Sequence, residues 1–127
     1  MNGFNKLVSV DLVSGKGSGS LDLDLSKLIP AGKALVVQFV STRAEMPLGQ
    51  KPDPVIVVLD KNGSAVVQHY AGTHLQLQYG ASDIYTSAHA MELVLTRDLK
   101  LRVDMLRDTT NGTAHCFFGI SGHLVEA

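Results

Sequence analysis

Apolar residues recur at every second position in segment after segment of this chain, and turn residues separate the segments. Hardly any window shows the 3.6-residue recurrence of an amphipathic helix, so the pattern predicts an all-β protein. Between Phe4 and Val13, the residues Val8, Val10 and Leu12 fall on one strand face, and SGKGSGS follows as a mobile connection. LDLDL then sets Leu21, Leu23 and Leu25 inward and Asp22 and Asp24 outward. After a turn at Ile29–Gly32, ALVVQFV puts Leu35, Val37 and Phe39 on one face and Val36 and Val40 on the other, as in a strand covered on both sides.

MPLGQKPDP, from Met46 to Pro54, holds three prolines and a glycine and reads as the longest loop. Val55–Leu59 and Ala65–Ala71 flank Asp60–Ser64, where Asn62-Gly63 predicts a type I′ hairpin. Gly72-Thr73 predicts a second tight hairpin turn, of type II′, into HLQLQY, with Leu75, Leu77 and Tyr79 facing in and His74, Gln76 and Gln78 facing out. Ile84–Thr96 and Leu99–Leu106 follow, and after Asp108–Gly112 the chain returns as a closing strand from His115 to Val125. The reading is an antiparallel β-sandwich, jelly-roll-like, of eight to nine strands, in a single domain over residues 1–127. A chain of 127 residues buries enough surface to need neither metal nor disulfide for its stability.

Charge narrows the partners. With 11 Lys and Arg against 12 Asp and Glu and no basic run, nothing marks an electrostatic footprint for nucleic acid or an anionic membrane. Only 18% of residues are charged while 45% are hydrophobic, which points to a surface partly covered by other subunits, hence a homo-oligomer. MNGFNKLVSVDL does not resemble a signal peptide, and no apolar run approaches the ~20 residues of a membrane span, so a soluble chain is expected. A leader already removed would make it extracytoplasmic; otherwise it is cytoplasmic. The single cysteine allows no internal disulfide and leaves the compartment open.

Strand parity sorts the candidate chemistry. In HCFFGISGHLV, the residues His115, Phe117, Gly119, Ser121 and His123 share one face, and Cys116, Phe118, Ile120, Gly122 and Leu124 the other. Cys116 is therefore expected in the core as a small hydrophobe with a raised pKa. His115 and His123 are separated by about 26 Å along an extended strand, too far to share a metal. His69 and His74, across the expected Gly72-Thr73 turn, would lie diagonally on one face about 7 to 8 Å apart. They are the candidate metal pair, although no third ligand stands nearby and a polar solvent face is the commoner meaning. Asp22 and Asp24 have the spacing of a carboxylate pair and equally that of any half-exposed strand.

Other motifs fail. There is no G-x-S-x-G elbow, and SGKGSGS lacks phosphate-loop spacing. The Asn62 and Asn111 sequons coincide with turns that need Asn-Gly anyway. An enzyme is the least supported class, and no cofactor is expected. Sugar binding is weakened by the absence of tryptophan and by parity, which turns Tyr70 and Tyr79 towards the core and leaves Tyr85 for stacking.

IPAGKALVVQFVSTRAEMPLGQK (Ile29–Lys51) and GISGHLVEA (Gly119–Ala127) resemble segments of small bacterial β-sandwich proteins of uncharacterised role. In these a Pro-Ala-Gly-Lys turn opens an apolar strand and a Ser-Gly-aromatic-Leu-Val strand closes the chain. His123 stands at the usual aromatic position. The resemblance implies a β-sandwich and no activity. More distantly, the closing strand is similar to the ends of tumour-necrosis-factor-like and complement-head jelly rolls, which implies a trimer as one form of the oligomer.

The sequence therefore reads as a non-enzymatic binding or assembly module that self-associates and presents loops to a ligand, with a glycan as the ligand to test. The expected ligand-binding loops are Met46–Pro54 and Asp108–Gly112, with Arg43, Gln50, Lys51, Asp53, Asp108 and Asn111 as polar contacts. A structural subunit of a surface layer or particle is the runner-up. A metal-dependent hydrolase around His69 and His74 comes third.

Overall fold

The computed structural model describes residues 3–127. Nine strands form: β1 (Gly3–Leu12), β2 (Ser18–Asp24), β3 (Lys33–Pro47), β4 (Pro52–Leu59), β5 (Ala65–Tyr70), β6 (His74–Tyr79), β7 (Ser82–Leu95), β8 (Lys100–Arg107) and β9 (Ala114–Glu126). They make two antiparallel sheets, β1-β9-β3-β7-β6 and β2-β8-β4-β5. The chain crosses between sheets at every connection except the β4–β5 and β6–β7 hairpins. This is the double-sheet jelly roll, with β6 added at one edge.

Between the sheets lies one continuous core, with Leu35, Val37 and Val40 of β3 and Cys116, Phe118 and Ile120 of β9 facing Ile56 and Val58 of β4 and Leu101, Val103 and Met105 of β8. Each of the larger side chains contributes about 1.5–3 kcal/mol by leaving water. On the other face of β4, Val55, Val57 and Leu59 are also buried. Their cross-strand neighbours are Tyr70 and Gln68 on β5 and Asp104, Arg102 and Lys100 on β8, whose long side chains flank them. The apolar run VIVVL is thus a strand covered on both faces.

Five local expectations are corrected. A bulge at Gln38 shifts the register of β3 against both β7 and β9, so Val40 joins Leu35 and Val37 in the core while Phe39 turns outward. Opposite the bulge, a Cβ on Gly122 would stand 1.9 Å from the Val36 carbonyl oxygen, so only glycine allows the two main chains to approach.

The Met46–Pro54 segment is mostly strand. Pro47 ends β3, residues 48–51 turn, and Pro52 opens β4, where a missing N–H costs least. Asn62-Gly63 does not form a type I′ turn, because Gly63 alone has positive φ (84°). The Asp60 carboxylate accepts from the Asn62 and Ser64 N–H groups at 2.9 Å and selects a three-residue loop.

The predicted β5–β6 hairpin does not exist. β5 pairs with β4 and β6 with β7, and the chain changes sheets through buried Ala71. Alternation is indifferent to which strand is the partner, and the tight turn at Gly80-Ala81 gives β6 to β7. Finally, LDLDL ends as strand at Asp24, which accepts from Ser26 N (3.0 Å) and caps a helical turn, α1 (Leu25–Leu28).

Candidate interaction surfaces

The loops after β1, β3 and β8 meet at one end of the sandwich around Arg107, a residue whose importance nothing in its sequence neighbourhood announces. Arg107 ends β8 and is buried without a carboxylate partner. Its Nε donates to the Lys16 carbonyl (2.9 Å), Nη1 to Gln50 Oε1 (3.1 Å) and the Asn111 carbonyl (3.4 Å), and Nη2 to the carbonyls of Val13, Thr110 and Gly112 (3.2, 3.1 and 2.9 Å). One guanidinium fork thus ties three loops together, its charge balanced by carbonyl dipoles.

The two loops singled out from the sequence are neighbours here. Gln50 is buried and donates to the Asn111 carbonyl (2.5 Å), so both ends of its amide are engaged inside the protein. Asp108 accepts from Lys51 N (2.9 Å). Lys51, Asp53 and Asp108 line a shallow concavity of about 360 Å³ together with Pro52, Leu106 and Arg107. Behind the turn, buried Asp83 accepts from Gly49 N (2.9 Å). Burial, and then the charges of Asp83 and Asp108, push the Tyr85 phenol above its ordinary pKa. Arg43 is not part of this end. It lies on the outer face of β3, beside Glu45 at 3.5 Å.

His69 and His74 belong to different sheets and do not face one another as a cross-strand pair. His69 lies opposite Ile56 on the inner side of β5, edge-on to His89 with ring centroids 5.3 Å apart. His74 lies opposite Thr86 on β6, with Nε2 at 3.5 Å from the Thr86 hydroxyl. Among the described residues no group of three or more metal-ligating side chains converges. His115 sits against Asp11 (2.8 Å) and His123 against Gln38 (3.0 Å). Cys116 is fully buried, and desolvation pushes its thiol pKa up to about 12.

Two surfaces lack the polarity of a solvated face. The first is the outer face of the five-stranded sheet. Across β1, β9, β3 and β7 it reads Leu7, Gly119, Ser41, Ala88 in one row and Asn5, Ser121, Phe39, Ala90 in the next, with no charge in either. Leu7 is 71% exposed and Phe39 42%, and between them Gly119 and Ser41 floor a depression of about 420 Å³. Of the charged groups, Asp11, His115, Arg43 and Glu45 lie towards one end, Glu92 lies beyond Ala90 towards the other, and Lys6 lines the rim of the depression.

The second is the side formed by β5 and β6. No Asp, Glu, Lys or Arg stands between Lys61 and Asp83, in a chain with 18% charged residues. Val66 and Val67 are exposed, as are Leu75, Leu77, Tyr70 (63%) and Tyr79 (77%), these last four all expected inside. Tyr70 lies opposite Val55 on the outer face of its sheet, and Tyr79 is the last residue of an edge strand.

The fold and these surfaces define a small jelly-roll domain whose outer surface is short of charge. No family model matches the chain, and no curated protein is similar to it in sequence. Among solved structures it resembles part of a CocE/NonD family hydrolase from Staphylococcus aureus (TM-score 0.51, 9% identity, 94% of this chain and 33% of that one). It likewise resembles part of the dimeric latent PorU of Porphyromonas gingivalis (TM-score 0.50, 8% identity, 99% and 13%). The VP2 subviral particle of infectious bursal disease virus is more remote (TM-score 0.48, 12% identity, 95% and 32%). At such identities the likeness is one of fold alone, and this chain spans a third or less of each of those proteins.

Proposed function

We propose that the protein is a non-enzymatic assembly module that self-associates, using the outer face of the five-stranded sheet, and carries its clamped loop end outward to a ligand. The observation that carries this reading is the pair of uncharged rows around Phe39. A face meant for water would carry period-2 charge, as Asp22 and Asp24 do on β2; here Phe39 and Leu7 stand over small residues that leave room for a partner's side chains.

The test is sedimentation velocity over a concentration series. Wild-type protein is expected to form a discrete oligomer, and Phe39→Asp to be folded with a shift towards smaller species. A monomer at all concentrations refutes the proposal. The size of the species separates an oligomeric module, a trimer included, from a structural subunit, which would build large assemblies visible by electron microscopy. For the ligand, the supporting features are the rigidity that Arg107 gives the loops and the concavity lined by Lys51, Asp53 and Asp108. A glycan-panel screen, run with and without chelator, tests it. Binding lost in Lys51→Ala and Asp53→Ala supports this site, and no binding in either condition favours a purely structural role.

A further inference from the structure

The four sheet edges of this molecule are not alike. In the five-stranded sheet the edges are β1 and β6, and in the four-stranded sheet β2 and β5. An edge strand offers a row of unpaired N–H and C=O groups, and charge is a common guard against adventitious pairing. β1 carries Lys6 and Asp11, and β2 carries Asp22 and Asp24. β5 and β6 carry no charge at all, although they hold six of the exposed large apolar side chains.

We propose that the free edge of β6 pairs antiparallel with β6 of a second copy, joining two five-stranded sheets into one continuous sheet, with the apolar side chains of β5 covering the join. This rests on the self-association reading and adds to it a second, separate contact.

Three observations favour a second copy as the occupant. An antiparallel two-fold contact pairs each residue of the edge with another residue of the same strand in the second copy, so an edge carrying like charges would meet like charge, whereas one without charge meets no repulsion. The free groups along the outer edge of β6 are main-chain N–H and C=O groups, which another strand can pair in register. The bulge at Gln76 leaves Leu75 opposite Tyr85 and Leu77 opposite Ile84, so apolar side chains are available on both faces of a joined sheet.

Area supplies a further reason. The uncharged rows around Phe39 cover on the order of 300 Å² seen face-on, from strand spacings of about 4.8 Å and row spacings of about 7 Å. A stable interface buries about 800 Å² per partner. These rows alone fall short of that, so a lasting assembly draws on further contact area.

The experiment compares wild type, Leu75→Lys/Leu77→Lys and Phe39→Asp by sedimentation velocity, with circular dichroism to establish that each is folded. All three substituted residues are exposed, so the fold should survive. The edge variant is expected to weaken association at least about tenfold. In parallel, Gln76→Cys is expected to give a disulfide-linked dimer under mild oxidation and Ser20→Cys, on the edge strand β2 of the other sheet, to give none; native Cys116 is buried and does not interfere.

If the edge variant associates like wild type and Gln76→Cys links no better than Ser20→Cys, the edge contact is refuted, whatever Phe39→Asp does. If Phe39→Asp has no effect while the edge variant dissociates, the edge stands and the face reading fails. A wild-type monomer at every concentration overturns both.

Discussion

Replacing Arg107 with alanine tests whether one buried side chain holds the loop end together. The guanidinium donates to six acceptors, five of them main-chain carbonyls from the loops after β1 and β8 and the sixth the Gln50 side chain from the loop after β3. Hydrogen bonds to a charged group contribute about 1.5–3 kcal/mol each in isolation, but here three acceptors share the two N–H groups of Nη2, so they do not add. Against them stands the desolvation of a cation, several kcal/mol after relaxation. Truncation removes all the donors at once and leaves carbonyls whose only replacement is water entering the gap. The expected loss is about 3–5 kcal/mol, a large part of the 5–15 kcal/mol that holds a domain of this kind folded.

Arg107→Lys keeps the charge but offers three donors from one atom and cannot reach both Lys16 and Gly112, so it should lose about half as much. Urea unfolding followed by fluorescence or circular dichroism gives the midpoint, and an unchanged m value shows that the folded and unfolded states are comparable. Amide exchange at Gly15, whose N–H donates to Thr110 at 2.7 Å, reports the loops separately from the core. A loss below about 1 kcal/mol for the alanine variant, or a lysine variant as stable as wild type, would show that the fork geometry is not what orders this end.

Two further perturbations probe the interior. Gly122→Ala drives a Cβ into the Val36 carbonyl and should cost about 3 kcal/mol or more, seen as a lowered melting temperature, whereas Gly119→Ala meets only the rotatable Ser41 hydroxyl and should be mild. The Cys116 thiol should react with a disulfide reagent only as the protein unfolds. Because its pKa is raised in the folded state from 9.0 to about 12, stability should be intact below pH 9 and decline between pH 9 and 12, by about 1.4 kcal/mol per pH unit. A Cys116→Ala variant should lack that slope in urea midpoints measured across the range.

Alternation alone determined the class of this protein. Leu99 to Arg107 and His115 to Val125 show their buried and exposed faces in the residue order itself, and Cys116 could be assigned to the core from parity, because a strand turns successive side chains to opposite sides whatever it pairs with. The loops after β3 and β8 could be named as segments from their turn residues, but not as neighbours, since that follows from strand order.

Tertiary structure decided everything that depends on a partner strand. A period of two is the same against any neighbour, so β6 could be assigned to the wrong hairpin and His69 and His74 to one face. A single bulge residue, Gln38, reverses parity beyond it without a mark of its own in the sequence and moves Phe39 from core to surface. Arg107 is one more arginine at a strand end until two distant loops bring the acceptors of Val13, Lys16 and Gln50 to it, beside those of the loop that follows it. Periodicity is a local property of the chain, whereas register and convergence arise between segments that are far apart along it.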